Sequence, residues 1–370
     1  MSNANTKQHR EPLFHVVKRT ELSTGKAWLV RGAAILLGFL ISGILSVLLT
    51  GKGFFEIYEI MFKGVFGMLF AGRLSQFWVF LQKTAILLCL SLAVTPAFKM
   101  KFWNCGAEGQ ALISGLVSMF LMISLGGKVA DWFLVILVVV CGILAGALWG
   151  IIPALFKAHF NTNETLFTLM MNYVATQIVA YYVYLVGQGS GIIQPVSYGN
   201  LPKIPPSDYF LNILVVVAVM IVMSIYLRHS KQGYEIAVVG ESQNTARYIG
   251  INVKKVILRT MAISGAVCGL AGVLMVAGTD HSVNTNSMGG QGFTAIMISW
   301  LGQFNPYIMA GMSALVIFLQ VGAAKVADSC FMNSSFADIV AGIVILLLVG
   351  SEFFIRYSVK FRTSKKEEKQ

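Results

Sequence analysis

The sequence predicts an all-α, polytopic membrane protein of about ten transmembrane helices, and three observations carry that prediction. Of the 370 residues, 56% are hydrophobic and only 12% are charged, with a mean hydropathy of +0.73, too little polar surface for a soluble globule. Apolar runs of about 20 residues, the length a hydrocarbon layer of ~30 Å requires, recur along the chain. Lys and Arg gather beside alternate ends of those runs, as in an oriented membrane protein.

Residues 1–27 form a basic segment with Lys7, Arg10, Lys18, Arg19 and Lys26 and no short apolar core of a cleavable signal. Nothing before about Leu13 would pack, so disorder is expected there. The membrane domain is expected over 28–355, beginning with a span at Trp28–Thr50 whose Arg31 can snorkel to the interface. Phe54–Phe70 carries Glu56, Glu59 and Lys63 at spacings of three and four and reads as an interfacial helix on the outer surface. Further spans are expected at Phe77–Ala97, Gly106–Leu125, Trp132–Ile152, Thr165–Val186, Tyr209–Leu227, Val256–Gly278, Phe293–Gly302, Tyr307–Ala324 and Phe336–Ile355. Phe293–Gly302 is short enough to be a half-helix. A basic tail occupies 356–370.

With both ends in the cytoplasm, about three quarters of the Lys and Arg fall on the inner side. If Phe293–Gly302 did not cross, the basic tail would lie outside, against the same rule. Gly142, Gly146 and Gly150 in one span, and Gly265 and Gly269 in another, allow close backbone approach. GAEGQALI at Gly106–Ile113 and GGQGFTAI at Gly289–Ile296 share a pattern about five spans apart. An inverted five-helix repeat would make the first open a span from the inside and the second from the outside.

The longest polar interruption is the loop Arg228–Arg259. Within it, Ser242 can cap a helix of about two turns and Gly250 can end it in the left-handed conformation. So short a helix is marginal in water and needs something to dock against. Ala246, Tyr248 and Ile249 are expected on its outer side, so that Ala246→Arg would sever a partner while leaving the fold intact. The alternative is a solvated connector.

Several chemistries find no support. The five His residues are isolated from one another, no H-E-x-x-H occurs, and Gly25-Lys26-Ala27, Gly51-Lys52-Gly53 and Gly127-Lys128-Val129 all lack the Ser or Thr of a Walker A loop. Energy for any driven transport must enter from another protein. Cys89, Cys105, Cys141, Cys268 and Cys330 contain no C-x-x-C pair and read as space-filling thiols, not as a metal site. The net charge of +12 is accounted for by membrane orientation without nucleic acid.

Polar groups at membrane depth are the candidate site. One cluster is Asn104, Glu108 and Gln110, where glycines permit an irregular backbone and Glu108 serves either the transport route or a structural bond locking a broken helix. The other is Asn163, Glu164 and Thr165 with Asn172 and Gln177, where helix capping and a pathway role stand side by side.

Four stretches, NCGAEGQ at Asn104–Gln110, NETLFTLMMNYVA at Asn163–Ala175, VGESQNTARYIGINV at Val239–Val253 and GGQGFTAIMISWLG at Gly289–Gly302, carry a family pattern. Over nearly its whole length after the basic segment, the chain resembles permease subunits of bacterial ABC importers for branched-chain amino acids, ribose and nucleosides, most of all the nucleoside branch. Cys105 replaces an aliphatic residue usual there, and Gln291 stands where the family often has Arg. The resemblance implies a non-catalytic subunit without cofactors in the bacterial inner membrane. Its implied partners are a second permease in a heterodimer, an ATP-hydrolysing subunit and an extracytoplasmic binding lipoprotein. It extends the pathway set to Asn104, Glu108, Gln110, Asn163, Glu164, Asn172 and Gln291, and the ATPase-coupling set to Glu241, Asn244, Ala246, Arg247, Tyr248 and Gly250. The competing readings are a sugar or branched-chain amino acid permease, a membrane-embedded enzyme, for which the acids are too dispersed, and an ion-coupled carrier, which would want acids in mid-span.

Overall fold

A computed structural model describes residues 14–19, 23–67, 74–187, 189, 193–333 and 335–361. The expected disorder before Leu13, the last residues of the Phe54–Phe70 helix and the tail beyond 361 lie outside the described residues. In chain order the elements are β1 (Phe14–Lys18), α1 (Thr24–Thr50), α2 (Phe54–Phe66), α3 (Ser75–Lys99), α4 (Ala107–Leu125), α5 (Asp131–Phe160), α6 (Glu164–Val186), α7 (Phe210–His229), α8 (Lys231–Glu241), α9 (Gln243–Tyr248), α10 (Val253–Met275) closed by a π-helical turn (Val276–Asp280), α11 (Gln291–Leu301), α12 (Pro306–Ser329), α13 (Ser335–Arg356) and β2 (Tyr357–Phe361).

Among the described residues, nine helices are long and apolar enough to cross a membrane, making this an all-α, multi-pass membrane protein. The tenth expected span is α11, whose 11 residues rise only ~16 Å, half a hydrocarbon layer. Helix α5 passes through Pro153 and stops only at Asn161, which adopts a left-handed φ of 52°, so it outruns its expected limit of Ile152.

The chain separates into two compact units, one of residues up to Ile60 with those from Ala323 on, the other Met61–Gly322. In the first, α1 packs on α13, and β1 pairs antiparallel with β2 from Phe14↔Phe361 to Lys18↔Tyr357. The pairing gives the basic segment a structured end that hydropathy did not suggest. Arg31 does not snorkel: it is only 5% exposed, lies over the Trp28 ring and makes an ion pair of 2.6 Å with Glu352 of α13. Its desolvation is met by a carboxylate instead of by interfacial water. The Tyr58 hydroxyl of α2 donates to the Phe39 carbonyl of α1, close to Gly43, where a β-carbon would lie 2.9 Å from the Tyr58 ring.

In the second unit α3, α4 and α10 form the interior, and α5, α6 and α7 expose most of their length. The two glycine stripes meet each other: a β-carbon on Gly150 would lie 2.9 Å from the Met261 carbonyl and 3.2 Å from the Gly265 Cα, and one on Gly146 would lie 2.9 Å from the Gly269 nitrogen. Backbone contact of this kind replaces the hydrophobic drive that lipid cannot supply between helices. Gly146→Leu is therefore expected to lower the melting temperature in detergent, at a cost of about 1–3 kcal/mol or more. Gly311→Ala, with nothing within 4 Å of the added carbon, should leave it unchanged. Thermal unfolding of the purified variants checks both.

Candidate functional site

A helix that begins inside a bundle carries unpaired N–H groups that no water can reach, so other side chains must accept from them. That requirement builds the site. After α3 the chain reverses at Lys101, with φ 58°, and Phe102 N–H returns to the Ala97 carbonyl at 2.9 Å. Asn104, fully buried, accepts from Gly106 N–H and from the Gln110 amide, both at 3.1 Å, and donates to Ser264 Oγ of α10 at 3.0 Å. Asn172 of α6 accepts from Gly109 N–H at 2.9 Å and donates to the Cys105 carbonyl at 2.8 Å. Thr168, one turn earlier, accepts from Cys105 N–H at 3.1 Å. Asn104, Gln110 and Asn172 thus spend their polar atoms on the broken start of α4.

Glu108 performs the same service for α11. Its Oε1 accepts from Gly290 N–H at 2.9 Å and its Oε2 from Gly292 N–H at 2.7 Å, placing the carboxylate on the positive end of that helix. The approach requires glycine, because a β-carbon on Gly292 would lie 2.6 Å from the Glu108 nitrogen. The starts of the stretches Gly106–Ile113 and Gly289–Ile296 therefore meet at Glu108. The far end of α11 is held by Trp300, stacked on Trp103 with centroids 5.3 Å apart, and by Ser299 Oγ at 3.0 Å from Thr95 Oγ1. Gln291, between the two glycines Glu108 caps, has a buried Oε1 with no hydrogen-bond partner among the described residues.

The remaining pathway candidates stand one turn away from this knot at the start of α6, where the Glu164 carbonyl accepts from the Thr168 hydroxyl at 2.8 Å. Asn163 caps α6 by accepting from Leu166 N–H at 3.1 Å, and Glu164 pairs with Lys157 at 2.8 Å. Thr168 and Ser264 were missed as members of the knot. Thr168 carried a signal, lying four residues before Asn172 on one helix face, and Ser264 adjoins the Gly265 packing position.

The polar interruption is two capped helices. Ser230 caps α8 by accepting from Gly233 N–H at 2.9 Å, Ser242 caps α9 by accepting from Thr245 N–H at 3.2 Å, and Gly250 takes the expected left-handed φ of 83°. Glu241, Asn244, Arg247, Tyr248 and Gly250 are exposed, with Tyr248 at 91%. Ala246 is a correction: it is 0% exposed and belongs to a core of Met100, Phe102, Ile236, Val239 and Val253. Docking of α9 is satisfied on that side by the chain itself.

Long apolar helices around a buried, broken-helix polar junction define the membrane component of a transport system. The chain belongs to the family of permease components of the branched-chain amino acid transport system type, whose pattern matches residues 77–349. It is 30% identical over 346 residues to the guanosine ABC transporter permease protein NupP of Bacillus subtilis, covering 91% of this chain and 95% of that protein. It is 27% identical to the glucose ABC transporter permease protein TsgB13 of Haloferax volcanii, over 91% of each. To the nucleoside ABC transporter permease protein NupB of Lactococcus lactis it is 26% identical, over 85% of this chain and 89% of that protein. No solved structure matches the chain.

Two substitutions separate the roles. Glu108→Gln keeps one acceptor but turns its NH₂ toward the second N–H, removing a charge-assisted bond worth ~1.5–3 kcal/mol. It should reduce uptake more than membrane abundance, measured by transport and immunoblot in the same cells. Ala246→Arg drives a guanidinium into a closed core at a cost of several kcal/mol. It should lower the detergent melting temperature, against the near-zero effect an exposed position would give.

Proposed function

We propose that the chain is the membrane-spanning permease subunit of an ABC importer for nucleosides, driven by ATP hydrolysed on a partner subunit. The observation that carries the reading is the α8–α9 pair. One side of α9 is seated in the core through Ala246, and the other presents Arg247, Tyr248 and Gly250 beyond the surface, a rigid knob suited to a groove on an ATPase. Glu241 and Asn244 complete that surface, and the chain has no Walker loop of its own. The family and the names of two of the three relatives, a guanosine and a nucleoside permease, support the transport class and the substrate. In this reading substrate arrives from an extracytoplasmic binding lipoprotein and passes between this chain and a second permease. Asn104, Glu108, Gln110, Asn172 and Gln291 hold the junction along the route, and Asn163 and Glu164 set the start of α6 beside it. The glucose permease among the relatives favours a sugar as the second reading.

The test is ATP-dependent uptake into vesicles holding the co-purified complex, with labelled guanosine, uridine, glucose, ribose and leucine. Guanosine and uridine should accumulate, and Tyr248→Ala should lose the co-purifying ATPase while keeping its melting temperature. Uptake of glucose or leucine alone would overturn the nucleoside reading. Retention of the ATPase and of full transport by Tyr248→Ala would overturn the coupling role.

A further inference from the structure

A helix facing lipid exposes aliphatic side chains, and α5 and α7 do so with Val140, Leu144 and Leu148, and with Val217, Ile221 and Ile225. The outer side of α6 exposes Leu166, Met170, Val174, Ile178 and Leu185 as well, but a strip of another kind runs among them. Tyr173 and Tyr181, 63% and 67% exposed, flank an exposed Gln177 at successive spacings of four, so the three side chains form one strip. Helix α6 is 23 residues long, rising ~34 Å, and Gln177 lies little past its middle. Among the described residues, no hydrogen bond of the Gln177 side chain is found. A carboxamide in that position costs several kcal/mol against hydrocarbon, and tyrosine belongs at the membrane surface, not at its centre. The strip therefore does not face lipid.

Nor does it hold the fold together. The opposite side of α6 does that, through Thr168 and Asn172 at the start of α4. Between the two rings lies a shallow, open and largely apolar depression lined by Tyr173, Val174, Gln177, Ile178 and Tyr181, a surface on which a flat ring can lie.

We infer that the Tyr173–Gln177–Tyr181 strip is the substrate-contact face of the translocation route and recognises the base of a nucleoside. The chemistry fits a flat heteroaromatic ring: phenol faces stack on it at ~1–3 kcal/mol per base, and one carboxamide supplies both a donor and an acceptor for its edge. This inference rests on the nucleoside reading above.

The experiment uses the reconstituted complex and labelled guanosine. Gln177→Leu removes the amide while suiting a lipid-facing position, so its abundance, subunit composition and melting temperature should match the parent. Its KM for guanosine should rise about tenfold, the equivalent of 1.4 kcal/mol. Gln177→Cys, in a background with the five native cysteines replaced, should react with a water-soluble maleimide, and millimolar guanosine but not leucine should slow that reaction severalfold. An unchanged KM in Gln177→Leu, or a Gln177→Cys variant unreactive to the maleimide, overturns the inference while nucleoside transport by the parent stands. Loss of the second permease from the Gln177→Leu complex reassigns the strip to subunit contact and also overturns it. A parent complex that moves no nucleoside takes the functional reading down with it.

Discussion

The start of a helix away from water is the constraint from which the centre of this protein follows. Each unpaired backbone N–H in a medium without water costs several kcal/mol, and both α4 and α11 begin where only protein can answer. Glu108 answers for α11 with both carboxylate oxygens, Asn172 for the first turn of α4, and Asn104 for the turn that precedes it. A carboxylate inside the bundle, costly by itself, is here partly offset by the two N–H groups and the dipole of the helix it caps. Polar residues that look like a solute path from their positions in the chain are therefore, in the first place, the means by which a helix can be broken at all.

The same groups connect the short external helices to the interior. Ala246, Ile236 and Val239 share a core with Met100 and Phe102, and Asn104 follows Phe102 by two residues on the way to α4. Contacts therefore run without a gap from α9 to the α3–α4 connection, the first turn of α4 and, through Glu108, α11.

Local rules made part of this legible. Hydropathy located the long helices because length and apolarity decide a span without reference to neighbours. Ser242, Gly250 and Asn163 were readable because a cap depends on residues within one turn. The inward face of α9 was not, since a six-residue helix has no periodicity to reveal which side a distant Phe102 will cover. The meeting of Glu108 with Gly290 and Gly292 was hidden for a related reason. Two short matching stretches do not say which backbone groups will face a carboxylate nearly two hundred residues away in the chain. The end of α5 was not legible either, since the helix continues through Pro153 to Phe160, past the point where a proline ends most helices in water.

The ion pair of Arg31 with Glu352 joins residues 321 positions apart, and β1 and β2 lie still further apart in the chain. During synthesis, α1 is among the first helices to leave the ribosome and α13 among the last. Until α13 arrives, Arg31 has no carboxylate and the β1 strand no edge to pair with. The first unit therefore rests on contacts of the highest sequence separation in the chain, the kind whose loop-closure entropy must be met before any gain is realised. A shortening that removes α13 would thus leave Arg31 without its carboxylate and β1 without its partner strand.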